Sequence, residues 1–177
     1  MFSAVWSRSR TPNNGFSLIE MVVSIVVLGV LAAVTAPIFT TSMRTYVESD
    51  ATLTTLSKAR YATERIAREL REVQYNTGTG SFSFTAMGAN NVTFTKWNGT
   101  TVTLNVAGTN VNMRYAPPNV TAPLTDELGT LTLTYLNTNG VAGATATTVR
   151  AIDVNLNLTN RGATHTQQVR VGLRNQP

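Results

Sequence analysis

The chain has no cysteine and a single histidine. The first absence excludes a disulfide scaffold, a thiolate metal site, a cysteine nucleophile and a lipidated N-terminal cysteine. It leaves the periplasm and the cytosol equally open. The histidine, His165, stands among threonines in a stretch read as a turn, and reads as a surface side chain rather than a base or a ligand. Charged residues make up 13% of the chain, against roughly a quarter in soluble globular domains. Part of that shortage is local, because Met21 to Met43 carries no charged side chain. No phosphate-cradling glycine loop, metal-spaced pair or nucleophile motif occurs. The adjacent acids Asp126 and Glu127 point to opposite faces if they lie in a strand, and no third acid is near in sequence. The sequence therefore assigns no catalytic residue, no metal ligand and no cofactor, and a calcium site cannot be assigned from it.

The charge that is present does not collect. The formal net charge is +5, of which Arg8 and Arg10 supply +2. From Gly78 onward, Lys96, Arg114, Arg150, Arg161, Arg170 and Arg174 face Asp126, Glu127 and Asp153, scattered singly along the chain. Nothing in that pattern makes the clustered basic stripe that tracks a phosphate backbone, so a nucleic-acid partner is not supported.

What the sequence does have is concentrated near its start. MFSAVWSRSRTPNNG is polar, basic and ends in the helix-resisting Asn13-Asn14-Gly15. FSLIEMVVSIVVLGVLAAVTAPIFTTSM follows, apolar except for Glu20. As a helix, Met21 to Met43 spans the ~30 Å of membrane hydrocarbon at ~1.5 Å rise per residue. The basic residues lie before it, so the positive-inside rule puts the N-terminal stretch in the cytoplasm and the bulk across the membrane. A secretory signal would be cut after the apolar core, near Val34-Thr35-Ala36, yet Pro37 directly follows that site. A plain membrane anchor leaves Glu20 unexplained, at roughly 2.5–3.5 kcal/mol for an acid at bilayer depth. Pro37 lacks an amide donor and Gly29 adds freedom, which predicts a kink or local unwinding near Val34 to Pro37.

Gly15-Phe16-Ser17-Leu18-Ile19-Glu20-Met21 and the apolar run behind a short basic leader resemble the type IV pilin and type II secretion pseudopilin family. The resemblance implies that a prepilin peptidase cuts between Gly15 and Phe16 and N-methylates the new amine of Phe16. It also implies that Glu20 pairs with an amine, its own or a neighbouring subunit's, and sets filament register. It implies that the Gly29 to Pro37 stretch can lose helical structure once packed.

Beyond the apolar segment, Leu53, Leu56, Ala59, Thr63, Ile66, Leu70 and Val73 recur at three- or four-residue spacing and predict one buried helical stripe. Glu64–Arg68, Arg65–Glu69 and Arg68–Glu72 predict opposite-charge pairs on the exposed face. Asn76-Thr77-Gly78 ends the helix. Alternating threonine, valine and asparagine then predict antiparallel strands. Val92 to Trp97 and Thr101 to Val106 form a hairpin on a two-residue Asn98-Gly99 turn. Val111 to Tyr115 adds a strand, and Ala116 to Pro123 is a connection. Leu131 to Leu136, Val149 to Leu158 and Gln167 to Arg174 complete a second group, the last two joined around Asn160-Arg161-Gly162.

The expected fold is α+β and pilin-like: a long N-terminal helix with an apolar first half, packed on an antiparallel β-sheet head. Its parts are a cleaved basic leader at 1–15, a transmembrane or filament-core helix at 16–43, an amphipathic half of the same helix at 44–76 and a β-rich head at 77–177. Leu124 to Leu128 leading into Leu131 to Tyr135, the Asn139-Gly140 turn, Val149-Arg150 and the terminal Val171 to Asn175 are similar to J-type minor pseudopilins and related minor pilins. The resemblance implies a structural, non-enzymatic subunit. Its partners would be prepilin peptidase, other pilin or pseudopilin subunits, an inner-membrane assembly platform and, before assembly, membrane lipid. It would sit in the inner membrane with its head periplasmic, then in a periplasmic or extracellular filament. The rival expectation is a membrane-tethered binding module, a tip adhesin or DNA-uptake pilin.

Overall fold

A computed structural model describes residues 15–173. The expected leader up to Asn14, with Arg8 and Arg10, and the terminal Arg174 lie outside the described residues. The described residues fall into two units divided after Val47.

Helix α1 runs Leu18–Arg71. Ser17 precedes it, and its carbonyl accepts the amides of Glu20 at 3.0 Å and Met21 at 3.2 Å. In the first unit every described residue is exposed, Leu18, Ile25, Leu28 and Phe39 among them. This is the one helix among the described residues that is long and apolar enough to cross a membrane. The helix continues through Gly29 and Pro37. Local unwinding at Val34 to Pro37 is therefore absent in this structure. Thr40 and Thr41 each donate their hydroxyls to the Pro37 carbonyl at 2.9 Å, and Thr35 donates to the Leu31 carbonyl at 2.9 Å.

In the second unit α1 buries Thr55, Ala59, Ala62, Thr63, Ile66, Ala67, Glu69 and Leu70. The predicted stripe is right from Ala59 onward and wrong before it. Leu53 is 67% exposed and Leu56 42%, while Thr55 is buried in their place. Thr55 turns inward because its hydroxyl donates to Glu127 Oε2 at 2.7 Å and accepts from Asn160 Nδ2 at 3.0 Å.

Ten strands follow. β1 (Tyr75–Asn76) and β2 (Ser81–Phe82) make a small pair. β3 (Phe84–Met87), β4 (Val92–Thr95), β5 (Thr101–Ala107), β6 (Asn110–Ala116) and β7 (Val120–Thr125) form a five-stranded antiparallel sheet in sequence order. β8 (Leu128–Leu136), β9 (Ala151–Asn160) and β10 (Ala163–Gly172) form a three-stranded sheet with β9 in the middle. The architecture is α+β and pilin-like. One side-chain core joins helix and sheets: Ile66 and Leu70 meet Phe94 and Leu104 of one sheet and Leu133, Val154 and Leu156 of the other. Strict alternation along β9 puts Ile152, Val154, Leu156 and Leu158 into that core. The rings of Tyr75, Phe82, Phe84, Phe94 and Tyr135 pack edge to face or tilted across the seam between the sheets, with centroids 5.1–6.3 Å apart.

Two expectations about the sheet are corrected. The β4–β5 hairpin does not close on a two-residue turn. Lys96 N–H bonds the Thr100 carbonyl and Gly99 N–H bonds the Lys96 carbonyl, both at 2.9 Å, with Gly99 at φ +81°. This is the three-residue loop with a glycine bulge, the next most favoured hairpin solution. The proline-rich connection is shorter than expected, because β7 includes Ala122 and Pro123. β7 is the edge of its sheet, where a residue with no N–H to give does no harm. The Asn160-Arg161-Gly162 joint is a two-residue turn between the paired Asn160 and Ala163, with Arg161 at φ 50° and Gly162 at φ 83°. His165 lies within β10 opposite Leu158, and not in a turn.

Candidate functional site

Of the residues singled out from sequence, Gly15, Phe16 and Glu20 lie together at the N-terminal end of α1, and Gly29 and Pro37 lie farther along it. Gly15 and Phe16 are non-helical and exposed, and Phe16 shows 76% of its surface. The peptide bond between them is thus accessible, non-helical backbone just before the helix. A side chain added at Gly15 would meet nothing within 4 Å, so nothing in the chain's own packing asks for glycine there. Glu20 occupies the first turn of α1, where the positive end of the helix dipole favours an acid. Ser17 to Glu20 also has the spacing of a helix-capping box, a local signal that the sequence reading passed over. The Glu20 carboxylate has no hydrogen-bond or ion-pair partner among the described residues. Gly29 is likewise open, with nothing within 4 Å of a side chain built there.

The exposed apolar half of α1 sets the chemistry of this region. From Leu18 to Phe39 the helix presents valine, isoleucine and leucine in all directions, with no buried residue. A surface of that kind is covered by lipid or by other protein.

Two ion clusters of the head were not foreseen. In the first, Asp126 and Glu127 sit in the short link between β7 and β8 and do not point apart. Lys58 Nζ reaches Asp126 Oδ1 at 2.8 Å and Glu127 Oε1 at 2.7 Å. The hydrogen bond to Asp126, and then that to Glu127, holds the Lys58 ammonium above its ordinary range. Burial pushes the Glu127 carboxyl up, but bonds from Lys58 and Thr55 outweigh it and leave it below the usual value. In the second, buried Glu69 binds Lys96 at 2.9 Å and Arg65 at 3.0 Å, and accepts the Tyr115 hydroxyl at 3.1 Å. Lys96 also holds Glu72 at 2.6 Å. Of the expected helical pairs Arg65–Glu69 forms, whereas Glu72 turns to Lys96 and not to Arg68. Sequence spacing identifies partners on one helix but not a lysine arriving from a hairpin loop.

These clusters tie α1 to the sheets and leave no open coordination shell. Among the described residues no group of three or more His, Asp or Glu side chains could hold a metal ion. His165 is half-buried and lines a cavity of about 390 Å³ with Glu48, Thr52, Asn160 and Arg161.

Residues 10–36 match the family described as the prokaryotic N-terminal methylation motif. No curated protein matches the chain. The matched segment holds Gly15, Phe16 and Glu20 together with Gly29, and it is the prepilin signature of type IV pilins and pseudopilins. The match is confined to that segment: it shows a prepilin-type methylation motif at the start of the chain.

Proposed function

We propose that this chain is a minor pilin or pseudopilin: a structural subunit trimmed between Gly15 and Phe16, methylated on the Phe16 amine, and built into a filament through α1. The observation that carries the reading is the exposed, non-helical Gly15–Phe16 bond immediately before an exposed apolar helix with an unpaired Glu20 in its first turn. Each part has a physical role. Glycine lets the backbone approach a catalyst closely, and since this chain makes no use of the space at Gly15, the demand for glycine comes from outside it. Cleavage puts a positive amine one helical turn before Glu20. The pair then lowers the cost of burying either charge, and formed between subunits it fixes axial register.

On this reading residues 1–15 are the leader and stay cytoplasmic. Residues 16–43 rest in the inner membrane before assembly and in the filament core after it, while 44–76 continue the helix against the head. Residues 77–177 form the periplasmic head. Gly29 and Pro37 mark where the helix gives way when subunits pack. Its partners are prepilin peptidase, the inner-membrane platform and other subunits, of either a type IV pilus or a type II secretion filament.

Intact mass and N-terminal sequencing of the protein from membranes and from sheared filaments test this. An N-terminus at methylated Phe16 in both fractions is expected, with the filament holding a small minority of copies. A chain beginning at Met1 in cells with active prepilin peptidase overturns the proposal and leaves a simple membrane anchor.

A further inference from the structure

Two sets of cations in the second unit contrast. Lys58, Arg65, Lys96 and Arg170 are all ion-paired within the chain. Arg60, Arg68 and Arg71 have no ion pair among the described residues, yet they stand on one exposed stripe of α1 with Glu64 between them. The three open onto a cavity of about 450 Å³ whose far wall is Gln167 and Val169 of β10.

Among the described residues β10 has a free edge: it pairs with β9 on one side and with no strand on the other. The two-residue turn makes Asn160 and Ala163 a hydrogen-bonded pair, so alternate residues Ala163, His165, Gln167, Val169 and Val171 bond β9. The backbone groups of Thr164, Thr166, Gln168 and Arg170 therefore face outward, and they find no partner outside the strand among the described residues. No proline or bulge interrupts them, the devices that commonly blunt such an edge. The opposite edge of the sheet is occupied: β8 takes Leu133 N–H to Ala89 and Tyr135 C=O from Ala144.

The edge and the arginines belong to one groove. Three cavities follow in order along α1: Glu48 to Thr52 beside Ala163 and His165, then Leu53 to Glu64 beside Gln167, then Arg60 to Arg71 beside Gln167 and Val169. Helix and strand thus run side by side in the same direction. We propose that this groove takes an extended acidic segment of another protein as an added strand on β10, with carboxylates on its helix-facing side directed at Arg60, Arg68 and Arg71. Same-face side chains on a strand repeat at ~6.8 Å, while Arg60 to Arg68 rises ~12 Å along the helix and Arg68 to Arg71 ~4.5 Å; carboxylates two same-face positions apart therefore reach the arginines at both ends of the stripe, and the position between them faces Glu64. Main-chain bonds supply affinity and the alternating carboxylates supply specificity, as in other strand-addition sites. A second copy of this chain is the wrong occupant. Its strand acid Asp153 is bound to Arg170 at 2.6 Å, and Asp126 and Glu127 are bound to Lys58. The site lies wholly in the second unit and does not depend on the filament reading.

The test uses the full chain in detergent micelles and fluorescein-labelled ten-residue peptides of alternating valine and glutamate, or valine and lysine. The glutamate peptide is expected to bind about tenfold tighter or more, with affinity falling as salt rises. Binding slows amide exchange at Thr164, Thr166, Gln168 and Arg170. R68Q/R71Q weakens it about tenfold and R114Q, outside the groove, leaves it unchanged. Equal binding of the two peptides, or binding without protection of those amides, overturns the proposal. So does a single-stranded oligonucleotide that outcompetes the glutamate peptide, which would make the arginines a nucleic-acid contact.

Discussion

Glu69 is the residue on which the head's polar interior turns. Its carboxylate is 4% exposed and accepts from Lys96, Arg65 and Tyr115, three groups delivered by a hairpin loop, the helix itself and β6. Burial draws the Lys96 ammonium down, and the bonds to Glu72 and Glu69 outweigh it and hold the group charged. A buried pair of this kind adds little over a well-packed apolar pair, but removing one partner strands the other. Glu69→Ala is therefore expected to cost about 3 kcal/mol, the low end of the range because Lys96 keeps Glu72. Pairing it with Lys96→Met restores a large part of the loss. Denaturant unfolding of the full chain in detergent, followed by far-ultraviolet circular dichroism, measures both. A double variant no better than the single one would show that the cluster's contribution is not the charge it leaves behind.

At the scale of elements, what could be read from sequence was whatever one element decides by itself. Strand alternation located β4, β5, β6, β8, β9 and β10 to within a few residues, because period-two burial is a property of each strand. Asn160-Arg161-Gly162 was legible as a turn because Gly162 takes a positive φ at no steric cost, although Arg161 takes the other positive φ against its ordinary preference. The misses depend on neighbours. Leu53 and Leu56 have core-like spacing, but the face they occupy lines a groove, while Thr55 is buried by a bond from Asn160, far along the chain. Pro123 excludes a central strand but not an edge strand, and the edge is known only once the sheet order is known. The β9–β10 turn allows a clean measurement of backbone preference. Gly162 has φ +83° and nothing within 4 Å of an added side chain, so Gly162→Ala meets conformational strain without a clash. It is expected to cost about 1–2 kcal/mol. Gly172→Ala, in equally open space without a positive φ, serves as control and costs nothing or stabilises slightly. Equal effects at the two positions would show that φ is not the cause.

For the whole molecule the central tension is an apolar helix that the chain cannot cover. From Leu18 to Phe39 no residue is buried, and the one acid in that stretch, Glu20, is unpaired among the described residues. The candidate site was legible because it is local: glycine, aromatic, glutamate and apolar run lie within one short segment. Its partner was not, because on the proposed reading the amine that answers Glu20 forms only when the chain is cut. Cleavage and pairing are then separable steps with separable variants. Gly15→Leu places a side chain where the chain itself has ample room, so any failure arises at the peptidase: uncleaved protein accumulates in the membrane with its head folded. Glu20→Ala leaves the Gly15–Phe16 bond untouched, so cleavage proceeds while incorporation into filaments falls about tenfold or more, the equivalent of losing ~1.4 kcal/mol of pairing. Mass spectrometry of the N-terminus and immunoblots of sheared filaments read the two steps independently. If Glu20→Ala enters filaments at the wild-type level, the carboxylate serves only the first turn of α1, and register must be set by the apolar face alone.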